Sequence, residues 1–224
     1  MKTAGSNDSQ STGQNSAIPK DSTVNFVPTS LKYNDSTINI DAGTWYSPTL
    51  HIAKEKVLYN SYLGHDIYRF SWFRSFDEPV FITINRKDDN YWLTIKKLSK
   101  PFVNYQEDIT FIPPNASGNE EKARQEEHDP MMDALRLPPK IVKNHEVKIT
   151  KANWDTFERE LNKCNYWKLQ PSDPRRPGLD GSEWIIEAHF KDRYWFVDRR
   201  SPRDNFRNCG EHLLRLSGLE EEIY

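Results

Sequence analysis

Tyr68-Arg69-Phe70-Ser71-Trp72-Phe73, Pro79-Val80-Phe81-Ile82-Thr83-Ile84 and Tyr91-Trp92-Leu93-Thr94-Ile95 follow one another within the stretch from Ile67 to Leu98. Each run is short and rich in β-branched and aromatic residues, and Asp, Glu, Pro and Asn separate it from the next. Such side chains fit a pleated surface and such separators turn the chain, so three antiparallel strands are predicted. The connection Arg86-Lys87-Asp88-Asp89-Asn90 is polar and short, as a hairpin loop requires.

Toward the N-terminus, Val24, Phe26, Val27, Ile38, Ile40, Trp45 and Tyr46 read as short strands or extended segments punctuated by Asn, Asp, Pro and Gly. Residues 1–23 hold almost no large apolar side chain and many Ser, Thr, Asn and Gln. That composition cannot repay the entropy of ordering, so a disordered polar leader is expected. Its opening, Met1-Lys2-Thr3-Ala4-Gly5-Ser6, looks like the tether of a bacterial lipoprotein with a starting methionine where the signal and lipidated cysteine would be. An ordinary frayed terminus reads the same way.

On the other side, residues 99–145 break the strand pattern with Pro113-Pro114, Pro138-Pro139 and the charged run from Glu120 to Asp129. They are read as a surface insertion with one solvated helix around 119–136. After the strand Val147-Lys148-Ile149, Thr150 can cap a helix in which Trp154, Phe157, Leu161 and Cys164 recur at spacings of three and four. Two strands follow, Glu183 to Phe190 and Arg193 to Arg199, joined at Lys191-Asp192. Ser201-Pro202-Arg203-Asp204 then has the order cap, Pro at the first helical position, acidic residue in the first turn. Phe206, Cys209, Leu213 and Leu216 form the stripe of this last helix, which Gly218 ends. Grouped strands with two amphipathic helices and no βαβ alternation give an α+β fold, an antiparallel sheet with both helices on one face. Residues 24–224 form a single domain in this reading, and an all-β sandwich with peripheral helices is the alternative.

The 224 residues suit one core, and a mean hydropathy of −0.86 places the polar excess in the leader and the insertion. With 31 basic against 33 acidic residues and a pI near 6.3, no global field attracts nucleic acid or an anionic membrane. No apolar run is long enough to span a bilayer, which leaves a lipid anchor as the expected membrane attachment. Cys164 and Cys209 both lie on helical stripes, where they read as buried free thiols or as a disulfide joining the helices, the latter favouring an exported protein. The sequons at Asn7, Asn34 and Asn115 matter only in a eukaryotic secretory pathway. The six histidines lack the short pairings of a metal site, and no phosphate loop, zinc signature or serine-hydrolase elbow occurs, so neither metal nor cofactor is expected.

Period two places Trp184, Ile186, Ala188 and Phe190 on one face of their strand and Ile185, Glu187 and His189 on the other. Tyr194, Phe196 and Asp198 alternate likewise with Trp195, Val197 and Arg199 on the next. Glu187 thus has Arg199 or Arg193 as its expected cross-strand partner, an ion pair bracing two strands. A functional reading makes Glu187, Asp180 and Arg199 a polar cluster beneath the loop 171–180, with Arg175 and Arg176 at its rim, suited to acid–base work or to an anionic ligand. Asp180-Gly181 is first of all a turn. Of the seven tryptophans, Trp154 and Trp184 fit buried stripes, and Arg69 and Arg74 around Trp72 form a candidate recognition patch or a cation–π cluster.

The run Gly178-Leu179-Asp180-Gly181-Ser182-Glu183-Trp184-Ile185-Ile186-Glu187, followed by Tyr194, Asp198-Arg199 and Ser201-Pro202, resembles an uncharacterised group of exported or lipoprotein-like proteins from bacteria of the Bacteroidetes type. The resemblance spans roughly Tyr68 to Leu219 and implies no activity. Members often carry Tyr-His in the second strand where this chain has Tyr194-Trp195, so it supports no histidine role there. The function expected is a non-enzymatic binding protein of the bacterial cell envelope, in the periplasm or lipid-tethered to the outer membrane, whose partner is a protein or glycan. The residues expected to bind are Arg199, Trp184, Tyr194, Arg69, Trp72 and Arg74. A hydrolase using Glu187 with Asp180, an immunity-type interaction protein and a cytoplasmic location are the alternatives.

Overall fold

The structure is a computed structural model that describes residues 24–40, 45–101, 137–173 and 181–223. The leader, the helix expected at 119–136, and Arg175, Arg176 and Asp180 lie outside the described residues. The runs 68–73, 79–84 and 91–95 are β3 (Asp66–Arg74), β4 (Val80–Lys87) and β5 (Asn90–Leu98), counting β1 (Ser30–Tyr33) and β2 (Ser36–Asn39) before them. With β6 (Ile141–Lys148), β7 (Ser182–His189) and β8 (Tyr194–Arg200) they make a six-stranded sheet of order β6-β5-β4-β3-β7-β8, every pair antiparallel. The α+β architecture read from the sequence is the one observed. The hairpin between β4 and β5 turns on Asp88 and Asp89, with Asp88 in the left-handed region at φ 52° that Asp tolerates better than most residues.

Two helices cover one face of the sheet. Helix α2 (Lys151–Lys163) starts at Thr150, whose hydroxyl accepts from the Asn153 amide while the Asn153 side chain accepts from the Thr150 amide, a reciprocal capping box. Its Trp154, Phe157 and Leu161 pack with Phe206, Cys209 and Leu213 of α3 (Asn205–Ser217) onto Tyr68, Phe70, Trp72, Ile82, Leu93, Trp184 and Ile186. The approach of α3 is close at Gly210, where a Cβ would lie 2.4 Å from the Trp184 ring. The cap of α3 is Asp204, whose Oδ1 accepts from the Phe206 amide, and not Ser201 as the sequence order suggested. Ser201 takes the left-handed conformation (φ 40°) and accepts from the Ser182 amide on β7, so the chain makes an extra corner before the helix begins.

The opposite face is covered too, which the sequence reading did not foresee. Phe26, Val27, Ile40, Tyr46, Leu50, Ala53 and Val57 pack on Phe73, Phe81, Leu98, Ile185 and Phe196. Trp45 and Tyr46, expected in extended chain, lead instead into α1 (Ser47–Ile52), where Pro48 fits the first turn and the Ser47 hydroxyl accepts from the Phe26 amide. Fully burying one such side chain contributes about 1.5–3 kcal/mol, enough to override weak local preferences. Every residue of β7 is consequently buried, Glu187 included.

At the sheet edge, β6 begins at Ile141, six residues before the expected Val147. Its Lys143-Asn144-His145-Glu146 run is polar because the strand is mostly exposed, and that polarity hid it from a hydrophobicity reading. The Ser99 amide donates to the Lys140 carbonyl, closing the base of the connection between β5 and β6.

Candidate functional site

Glu187 meets neither Arg199 nor Arg193. The β3–β7 register sets it directly opposite Arg69, whose Nε and Nη2 donate to Glu187 Oε2 at 2.7 and 2.5 Å, while the Tyr194 hydroxyl donates to Oε1 at 2.8 Å. On β8 it is Phe196 that faces Glu187, and Arg199 pairs with Trp184 on the other face of the sheet. Arg69 Nη1 also lies 3.4 Å from Glu55, and Glu55 takes Lys96 at 2.8 Å, so two cations and two carboxylates balance in the interior. Burial pushes the Glu187 carboxyl above its usual range, against the pull of Arg69 and Tyr194.

The cluster exists because irregular chain is buried above it. Residues 53–63 lack a ladder for their carbonyls, and buried carbonyls need donors. Arg69 Nη1 donates to Lys56 O at 2.6 Å, Lys96 Nζ donates to the carbonyls of Ala53 and Lys54, and the His189 ring contacts Leu58 O at 2.5 Å. The Leu63 amide donates to His189 Nε2, which makes Nδ1 the protonated nitrogen and Leu58 O its acceptor. Glu187 neutralises the charge that does this work. Glu187 is fully buried, and its expected catalytic partner Asp180 lies outside the described residues.

The recognition patch expected around Trp72 is not at the surface. Trp72 and Trp184 are in the core under α3, Arg69 lies on the opposite face of the sheet from Trp72, and Arg74 stacks over the Trp72 ring at 4.4 Å while paired with Glu221 at 2.9 Å. Tyr194 is half-buried with its hydroxyl committed to Glu187. Of the residues expected to bind, Arg199 lines a cleft.

That cleft, of about 260 Å³, lies where β8 turns into α3 and is lined by Asp173, Arg199, Arg200, Pro202, Arg203 and Asp204. The segment Pro171–Asp173 runs along the outer edge of β8, held by the Asp198 amide on Pro171 O and a parallel bridge from Ser172 to Asp198. The corner at Ser201 and Pro202 closes the other side. Arg199 donates to the carbonyls of Asp198 (2.6 Å) and Gln170 (2.8 Å), and among the described residues no carboxylate lies within ion-pair distance of it. Burial pulls its guanidinium below the usual value, only partly offset by Asp173, Asp198 and Asp204 farther off. It stays cationic at neutral pH. Arg203 is exposed and has no ion-pair partner among the described residues, whereas Arg200 reaches Glu183 at 2.9 Å.

Behind Arg200 sits a second acidic feature. Asp198 takes the Tyr46 hydroxyl on Oδ2 at 2.8 Å, and its buried Oδ1 meets no N–H or O–H donor. Burial, together with the negative charge of the nearby Glu183 carboxyl, pushes Asp198 well above the carboxylate range. No family model, curated protein or solved structure matches this chain. That Arg200, Arg203, Asp173 and Asp204 share one site with Arg199 is not evident from the sequence; the signal is the density of arginine at 199, 200 and 203 beside the 171–180 loop, obscured because Ser201-Pro202-Arg203-Asp204 also reads as a helix start.

Proposed function

We propose that this chain is a non-enzymatic binding protein whose cleft between β8 and α3 receives carboxylate groups of an acidic protein partner. The observation that carries this reading is Arg199, a half-buried guanidinium that borders open volume, donates its hydrogen bonds to backbone carbonyls and lies 5.9 Å from the Phe206 ring, with no carboxylate paired to it among the described residues. Planar guanidinium forks match carboxylates in a bidentate geometry, and Arg199 and Arg203 both line this cleft, beside Arg200, which is paired with Glu183. The described lining holds no aromatic ring on which a sugar could stack, which favours an acidic peptide over a neutral glycan. The cleft is smaller than the roughly 300–1,000 Å³ of pockets for extended small molecules and suits one or two side chains. A tethered place in the bacterial cell envelope belongs to the same proposal, resting on the composition of the leader.

Calorimetric titration with hexaglutamate, polygalacturonate and a neutral oligosaccharide tests it. Hexaglutamate is expected to bind, more weakly at high salt, and Arg199→Gln together with Arg203→Gln should weaken it by about tenfold or more, one guanidinium–carboxylate pair being worth roughly 1.5–3 kcal/mol. Binding of polygalacturonate alone moves the reading to an acidic glycan. Equal binding by the variant removes the cleft from it.

A further inference from the structure

Cys164 closes helix α2, and Cys209 lies on the buried stripe of α3, 45 residues away in sequence, yet their sulfurs are 3.8 Å apart. Both are free thiols, Cys164 half-buried and Cys209 fully buried. We propose that Cys164 and Cys209 form a redox-convertible dithiol, oxidised by low-molecular-weight disulfides such as oxidised glutathione to a disulfide that staples α2 to α3. The sulfurs need to close by about 1.8 Å to reach the length of a disulfide bond.

The two thiols are unequal in a way that orders the chemistry. Cys164 is the one solvent reaches, and its hydrogen bond with Cys209 holds its thiol below the usual range despite partial burial. Cys209 is pushed up by its bond to Cys164 and by burial. The Cys164 thiolate attacks one sulfur of oxidised glutathione, breaking its S–S bond and releasing one glutathione thiolate, which takes up a proton. Cys209 then attacks Cys164 Sγ in the mixed disulfide and expels the second glutathione, whose departing thiolate takes up the Cys209 proton. The protein dithiol is oxidised by two electrons, and one oxidised glutathione is reduced to two thiols.

The loop so closed runs from 164 to 209 and contains every described residue lining the arginine cleft. The device does not depend on what the cleft binds. Cross-linking residues this far apart removes freedom mainly from the unfolded chain, so oxidation should raise Tm by about 5–15 °C.

The test incubates the folded full chain with oxidised glutathione, traps free thiols by alkylation under denaturing conditions, and maps the products by mass spectrometry. An intramolecular 164–209 disulfide is expected, with the Tm rise reversed by dithiothreitol. Cys209→Ser should stall as a stable glutathione adduct on Cys164, and Cys164→Ser should stay unmodified while folded. The proposal is overturned if the wild-type chain keeps both thiols alkylatable, if it accumulates the Cys164 adduct without resolving it, or if Cys209 reacts as fast as Cys164.

Discussion

Arg69 and Arg199 are the same residue type on the same sheet in opposite conditions. Arg69 is 1% exposed, pairs with two carboxylates and spends a further donor on a loop carbonyl. Arg199 has no carboxylate within ion-pair distance among the described residues and borders a cleft. The difference comes from what lies above each strand. Irregular chain covers the middle of the sheet on Arg69's face and needs its donors, whereas the corner between β8 and α3 leaves Arg199 with capacity unspent. A charged residue in a strand is thus structural where the fold supplies its counter-charge and available where it does not.

The largest expected effect breaks the closed half. Arg69→Met leaves Glu187 buried without its cation and should cost about 3–5 kcal/mol in urea unfolding, whereas Arg69→Met with Glu187→Leu should recover much of the loss, since replacing both members of a buried pair is far milder than removing one. A loss below about 1 kcal/mol for the single variant would mean that water reaches Glu187 and the region is not closed.

A smaller effect follows from His189. Burial pulls its pKa below the ordinary 6.5, so the fold favours the neutral ring, and its share of stability is present above that value and lost as pH falls below 6.5 through the folded pKa. Protonation also sets an N–H against the Leu63 amide. Hydrogen exchange of the Leu63 amide, corrected for intrinsic rate, should therefore accelerate between neutral and mildly acidic pH more than amides near the cleft. Asp198 has the opposite sign, its raised pKa making its contribution greatest below 3.8 and lost as pH rises.

How much of this was legible depends on the range of each interaction. The strands 68–73, 79–84 and 91–95 and the stripes through Trp154 and Phe206 are local periodicities, and they predicted β3, β4, β5, α2 and α3. The partner of Glu187 is not local: Arg69 stands 118 residues away, and only the β3–β7 register brings it opposite. The second apolar layer was hidden because Phe26, Val27 and Tyr46 sit in short irregular segments whose composition says little about what they cover. Arg199 was picked out beside the 171–180 loop, but paired with the wrong carboxylate, because β7 and β8 alternate faces and the reading could not fix their register.

The smallest expected effects sharpen the open half. Arg203→Gln touches an exposed side chain and should change stability by less than about 0.5 kcal/mol, and Arg199→Gln, which loses bonds to two carbonyls, by about 1 kcal/mol. Both should nonetheless weaken hexaglutamate binding, separating stability from function at the residues where Arg69 cannot.

The most direct measurement is NMR of the arginine Nε–Hε groups in labelled protein during a hexaglutamate titration. The account predicts that the Arg199 and Arg203 resonances shift progressively while Arg69 stays fixed and exchanges slowly with solvent. Arg69 moving with the titration, or Arg199 and Arg203 staying still through it, would contradict the division of this sheet into a closed and an open arginine.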